Sequence, residues 1–150
     1  MALLRIVEVD IGNMDHWLTM AMQLWPDEDR ADLARFIRES IASEKNQSLL
    51  CLTSTAECAG FIDLSLRTDY VEGCTTNPVG YLEGVFVKPE YRQNGVGAFL
   101  IREGEKWAKS KGCSEFASDT EFANADSQLF HIAMGFKHSE VIVHFWKRID

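Results

Sequence analysis

Arg92, Gly95 and Gly97 stand at a spacing that suits the binding of a phosphate. The first turn of an α-helix carries backbone N–H groups with no intrahelical acceptor, and the aligned peptide dipoles add partial positive charge there. A Cβ at Gly95 or Gly97 would hold a pyrophosphate away from those groups, whereas glycine lets it approach. Two phosphate-loop readings fail on residues. A Walker loop requires Gly-Lys-Ser/Thr after its spacer, and no such run occurs here. The dinucleotide fingerprint requires a third glycine where this chain has Leu100. What stands is Arg-x-x-Gly-x-Gly behind Val87-x-Pro89.

Carboxylates and aromatics form the second set. Glu83 interrupts an otherwise apolar strand pattern just ahead of the glycine turn, with Tyr81, Glu83, Val85 and Val87 expected on one face. A mid-strand Glu in a covered sheet points to function, the alternative being a solvated edge. Asp119 closes a later strand, where ligands of open sheets bind and where an Asp equally serves as a turn cap. Trp25-Pro26-Asp27-Glu28-Asp29 sets an aromatic beside three carboxylates, which also reads as an acidic helix start. Cys51, Cys58, Cys74 and Cys113 lack Cys-x-x-Cys spacing, and His16, His131, His138 and His144 form no ligand motif, so neither metal nor structural disulfide is expected.

Residues 3–9 read as a strand, and Asn13 is placed to cap a helix whose apolar positions Met14, Trp17, Leu18, Ala21 and Leu24 end near Trp25-Pro26. A second helix is predicted over 29–43, with Leu33, Phe36, Ile37 and Ile41 inward. Strands follow over 48–53 and 59–67, then a loop over 69–78 and a strand over 79–87. Beyond the glycine turn a helix spans 97–111 and ends at Gly112, a strand covers 115–118, and a helix covers 124–133. The tail, 137–148, is expected to form two strands with a turn near Glu140. This order, βααβββαβαββ, predicts one α/β domain with a mixed sheet over residues 1–150.

The formal charge of −8 argues against nucleic acid as a partner and is compatible with a cationic substrate. Arg5, Glu8 and Asp10 interrupt the apolar start, which therefore lacks the core of a signal peptide, and no stretch approaches a membrane span. A soluble, cytoplasmic protein is expected.

Val-x-Pro-x-Tyr-Arg running into Arg-x-x-Gly-x-Gly, over 87–97, resembles the acetyl-CoA loop of the GCN5-related N-acetyltransferases. Further segments sharpen the likeness: Leu24-Trp25-Pro26, Asp69-Tyr70-Val71-Glu72-Gly73-Cys74, Tyr81-Leu82-Glu83-Gly84, Glu115-Phe116-Ala117-Ser118-Asp119-Thr120, Gly135-Phe136 and Glu140. They resemble the chromosomal-type aminoglycoside 6'-N-acetyltransferases of Gram-negative bacteria over nearly the whole chain.

The resemblance implies a mixed, mostly antiparallel sheet flanked by helices, acetyl-CoA as co-substrate, an aminoglycoside as acceptor, and a homodimer. It implies a substrate pocket from Trp25, Glu28, Tyr70, Glu83, Asp119 and Glu140; Glu28 departs from the residue expected there. It implies coenzyme contacts from Val85, Phe86 and Val87, from Gln93, Asn94, Gly95, Val96, Gly97 and Ala98, and from Asn124. Several carboxylates suit a polycation, and Trp25 and Tyr70 suit sugar rings or cations. Asp119 is the expected proton acceptor for the reacting amine, with Glu83 acting through water as the other candidate. His131 stands where many acetyltransferases carry the Tyr of Tyr-x-x-x-Gly-Phe, so the general acid is His131, water or nothing. Acetylation of another amine, a polyamine or a protein N-terminus, and a non-catalytic acyl-CoA sensor are the alternative functions.

Overall fold

A computed structural model describes residues 3–150. A five-stranded sheet in chain order is built from β1 (Arg5–Glu8), β2 (Asn46–Leu52), β3 (Cys58–Arg67), β4 (Val79–Val87) and β5 (Phe116–Ser118). Neighbours run antiparallel, except that β5 lies parallel to β4. Helices α1 (Met14–Leu24) and α2 (Arg30–Ala42) cover one face, and α3 (Val96–Ser110) covers the other, with α4 (Ala125–Ala133) after β5.

Periodicity explains the layers. Trp17, Leu18, Ala21, Leu33 and Ile37 recur at helical spacing and meet Leu50, Phe61 and Phe86 on one side of the sheet. Their strand neighbours Leu49, Ile62, Leu64 and Leu82 point the other way and meet Val96, Leu100 and Ile101 of α3. Cys51, Cys58 and Cys113 are buried among them as small hydrophobes. No helix of the described residues is long and apolar enough to cross a membrane.

Two local expectations are corrected. Asn13 does not cap α1; its amide donates to the Glu8 carbonyl at 2.9 Å and its oxygen accepts from the Asp10 N–H, so it pins the β1–α1 turn. The acidic run after Trp25 does serve the next helix, because Asp29 caps α2 by accepting from the Ala31 N–H at 2.7 Å. The two tail strands do not form. No backbone group of residues 137–150 bonds to another backbone group among the described residues, and the apolar side chains there lie exposed. Alternation gave the tail strand character, but among the described residues no strand neighbours it.

One charge lies inside the α1–α2 side of the core. Asp63, on β3, is 2 % exposed; its Oδ1 accepts from Trp17 Nε1 at 2.9 Å and from the Ser48 hydroxyl at 2.7 Å. Its buried Oδ2 has no partner among the described residues. Burial pushes this carboxyl up to about 7, opposed by the two hydrogen bonds and assisted by Glu83. An acid raised in the folded state binds its proton more tightly there than in the unfolded chain. Folding stability therefore falls as pH rises from the unfolded value toward the folded one, and is level above it. Asp63→Asn keeps the acceptor oxygen and removes the charge. The wild type is expected to lose thermal stability between about pH 4 and about pH 7 while the variant changes much less. Parallel melting curves for the two proteins would refute the assignment.

Candidate active site

The site forms where β4 and β5 separate. Their parallel pairing covers only Gly80↔Phe116, Tyr81↔Ala117 and Leu82↔Ser118. On its other flank β4 follows β3 throughout, but Gly84 faces Asp63 and Leu82 faces Leu64, which makes Glu83 the extra residue of a β-bulge. The bulge bends β4 away from β5, and residues 84–87 are unpaired on that side. Lys88 N–H donates to Ala59 across to β3, so by alternation the N–H groups of Val85 and Val87 face the opening.

The bulge also overturns the single face expected for Tyr81, Glu83, Val85 and Val87. Val85 and Val87 pack on the α3 side, whereas Tyr81 packs with Val71 and Val79 in a separate cluster. One inserted residue shifts the two-residue period, and no local sequence signal announces it.

At the vertex, the Ser118 hydroxyl lies 3.2 Å from the Leu82 carbonyl and 2.8 Å from His131 Nε2. His131 Nδ1 is 2.7 Å from the Ser127 carbonyl oxygen, which only accepts, so that nitrogen carries the proton. The ring stands edge-on to Phe130 and Phe136. Both nitrogens thus have protein partners, and His131 ties α4 to β5.

Two of the carboxylates are joined through residues that sequence reading passed over. Glu83 accepts from the Ser65 hydroxyl at 2.6 Å and from Arg67 Nη2 at 3.0 and 3.2 Å. The Arg67 guanidinium lies 3.4 Å above the Tyr81 ring centre, and the Tyr81 hydroxyl donates to Asp119 Oδ2. Burial pushes the Tyr81 phenol well up, and the adjoining Asp119 carboxylate adds to this, so Tyr81 remains a donor. Asp119 itself is exposed and directly follows β5. Alternation along β3 was the available signal, since it sets Asp63, Ser65 and Arg67 on one face beside Glu83.

Trp25 sits against the bulge. A Cβ on Gly84 would come within 2.8 Å of its Cζ2, so only glycine admits the ring there, and Phe61 lies 6.1 Å away centre to centre. Tyr70 lies elsewhere, on the loop before β4, with Glu140 near enough for its charge to act on it. Tyr70 is 80 % exposed, donates to Glu72 at 3.0 Å, and has its phenol raised first by that bond and further by charges that include Glu140. Val71 packs with Val79 and Tyr81, which holds this loop beside the start of β4. Glu28 is exposed; its N–H donates to the Trp25 carbonyl at 3.1 Å, and its carboxylate meets no side chain among the described residues.

The glycine turn lies at the far end of β4. After a 3-10 turn, Pro89–Tyr91, the backbone takes left-handed conformations at Gln93 (φ 63°) and Gly95 (φ 79°), and α3 starts. Arg92 Nε donates to the Val87 carbonyl at 2.8 Å and fixes the turn to the strand end. The first turn of α3 has neither a capping side chain nor an acid, whereas α1, α2 and α4 carry Asp15, Asp32 and Asp126 there. Its N–H groups and dipole are left for an anion. Gly97 has a reason the sequence did not disclose: a Cβ there would lie 2.9 Å from Phe130 Cε2, so α4 packs directly on α3 at this residue. Asn124 caps α4, accepting from the Ser127 N–H at 3.1 Å, which leaves its amide nitrogen to donate. An open strand edge followed by a bare helix N-terminus fits an extended ligand that ends in a pyrophosphate.

Comparison with known proteins agrees with that geometry. Residues 12–136 match the model of the acetyltransferase (GNAT) family. The chain is 39% identical, over 96% of its length and 99% of the relative's, to an aminoglycoside N(6')-acetyltransferase type 1 of Serratia marcescens. The crystal structure of the aminoglycoside N-acetyltransferase AAC(6')-Iy in complex with CoA superposes with a TM-score of 0.94, at 35% identity, covering 99% of this chain and 97% of that one. The same enzyme in complex with the bisubstrate analog CoA-S-monomethyl-acetylneamine gives a TM-score of 0.90, at 38% identity, covering 98% and 99%.

Proposed function

From a chain that belongs to the GNAT acetyltransferase family, we infer an acetyl-CoA-dependent enzyme that acetylates the 6'-amino group of aminoglycosides and so confers resistance to them. The observation that carries this reading is the parting of β4 from β5 at the Glu83 bulge, with the bare N-terminus of α3 at one end and the Glu83–Arg67–Tyr81–Asp119 network at the other. Full-length similarity to aminoglycoside 6'-acetyltransferases supports the choice of acceptor.

Acetyl-CoA brings the activated acetyl thioester. In this reading the N–H groups of residues 93–98 hold its pyrophosphate, the Asn124 amide donates to it, and the unpaired backbone of Val85, Phe86 and Val87 aligns its pantetheine arm. A backbone N–H among Val85 to Val87 stabilises the charge that develops on the thioester carbonyl oxygen. Trp25 and Tyr70 flank the sugar rings, and Glu83, Asp119 and Glu140 face ammonium groups, with Glu28 at the outer margin. The attacking amine must be neutral, and Asp119, fixed by Tyr81, takes its proton directly or through water. His131 is held by Ser118 and Ser127, so water protonates the departing thiolate.

We further propose that residues 1–150 act as one catalytic domain, in the cytoplasm and as a homodimer. The test is a thiol-release assay over kanamycin, tobramycin, spermidine and a peptide, with mass spectrometry of the products. Acetylation at the 6'-amine of the aminoglycosides alone is expected. Turnover of spermidine or the peptide in preference would overturn the reading, as would acetyl-CoA binding without turnover of any amine.

A further inference from the structure

The acidic end of the site carries a cation of its own, Arg67. It closes β3 opposite Val79, and the peptide that follows is held, because the Thr68 carbonyl accepts from Asn77 Nδ2 at 2.6 Å. The guanidinium carbon stands 3.4 Å from the Tyr81 ring centre, while Nη2 donates to both oxygens of Glu83. The hydroxyl of that same tyrosine donates to Asp119. One positive charge thus bonds one carboxylate and rests on the ring that holds the other. Neither member of the pair is sealed from solvent, the Arg67 side chain being 42 % exposed and that of Glu83 33 %.

An arginine here is a costly choice for a site meant to receive a polycation. Without it Glu83 and Asp119 would offer an acceptor two negative charges; with it they offer one in net. Stability does not account for the choice, since a solvent-accessible ion pair contributes little to folding. Its effect falls on whatever approaches Glu83. Ser65 and Arg67 already donate to that carboxylate, and an ammonium brought to it meets the guanidinium as a like charge. A hydroxyl meets no such repulsion. It can accept from the guanidinium, whereas an ammonium has only donors.

We propose that Arg67 determines acceptor specificity: it occupies Glu83 in place of a substrate ammonium, and so sets how the site discriminates a 2'-hydroxyl from a 2'-ammonium on the sugar whose 6'-amine reacts. This rests on the aminoglycoside reading above and deepens it. The 6'-nitrogen must lie at Asp119 to lose its proton, and Glu83 is the acid joined to Asp119 through a single tyrosine ring. The same sugar therefore turns its remaining variable group toward the Glu83–Arg67 pair. Among aminoglycosides that group is the 2' substituent, a hydroxyl in some and an amine in others. Of the carboxylates set around the acceptor, Glu83 is the one already neutralised.

Kanamycin A and kanamycin B differ only in bearing a hydroxyl or an amine at 2', so the ratio of their KM values reads this contact. Effects that fall on every aminoglycoside alike cancel in the ratio. In Arg67→Met the KM for kanamycin B is expected to fall about fivefold relative to that for kanamycin A, the upper range for a solvent-accessible charge pair. Arg35→Met, which removes an exposed cation from α2, is expected to leave the ratio as in the wild type. If Arg67→Met turns over too slowly to measure, calorimetric dissociation constants for the two drugs supply the same ratio. A ratio unchanged in Arg67→Met overturns the assignment, and so does an equal shift in Arg35→Met, which would make overall charge the cause. Drugs that bind with the expected shift but are never acetylated would sink the functional reading and leave the role of Arg67 standing. Acetylation at the 6'-amine with a fixed ratio would do the reverse.

Discussion

Asp119→Asn is expected to lower turnover by about 10²-fold or more, the usual cost of losing a general base, while acetyl-CoA binding stays intact. The substitution preserves shape, and the Tyr81 hydroxyl still has an oxygen to donate to. What disappears is charge and basicity. Were Asp119 only an anchor for an ammonium at this exposed strand end, the loss would be about 1 kcal/mol, or severalfold, and would show chiefly as a raised aminoglycoside KM. The pH profile separates the two roles, because removing the proton acceptor changes its shape and removing an anchor does not. Full turnover with a raised KM alone would demote Asp119 and turn attention to Glu83 through water. Glu83 is a poorer candidate, since Arg67 and Ser65 already occupy its oxygens. Tyr81→Phe, which keeps the carboxylate but releases it, should cost less than Asp119→Asn in the same assay.

Gly97→Val acts at the other end of β4. The branched side chain must displace Phe130, and with it α4, whose N-terminus Asn124 caps. It also stands at the start of α3, beside the N–H groups offered to the pyrophosphate. Losing one or two hydrogen bonds to a charged group costs about 1.5–3 kcal/mol each. The KM for acetyl-CoA should therefore rise by about tenfold to a hundredfold or more, with the aminoglycoside KM far less affected. Circular dichroism of the variant is expected to keep the wild-type form, because α3 and the sheet do not depend on this contact. Unchanged acetyl-CoA affinity would show that the coenzyme does not use this turn.

The glycine turn was legible because backbone chemistry demands particular residues there: Gly95 takes a positive φ, and the first turn of α3 must stay free of acids. The layers were legible for a similar reason, as the helical and two-residue periods of Trp17, Leu18 and Ile37 or of Ile62 and Leu64 leave few alternatives. The bulge was not legible. Tyr81-Leu82-Glu83-Gly84 reads as continuous alternation, and the extra residue emerges only from the register of β4 against β3. The links that bulge creates, Arg67 to Glu83 and Tyr81 to Asp119, were hidden with it, since they join residues 16 and 38 positions apart. The tail shows the opposite failure. Its strand pattern is plain, but a pattern specifies a face and not the neighbour that covers it.

The parting of β4 and β5 has a thermodynamic side as well. A sheet that stops pairing halfway along a strand leaves peptide groups dependent on water, so a pantetheine amide that bonds to them acts as a missing length of strand. Any ligand bound only by the folded chain lowers the free energy of the native state in proportion to the logarithm of its concentration. A cell's supply of acetyl-CoA would thus set not only how fast this protein works but how long each copy survives unfolding and proteolysis. Substitutions too destabilising for the free chain could then persist wherever metabolism keeps the coenzyme abundant.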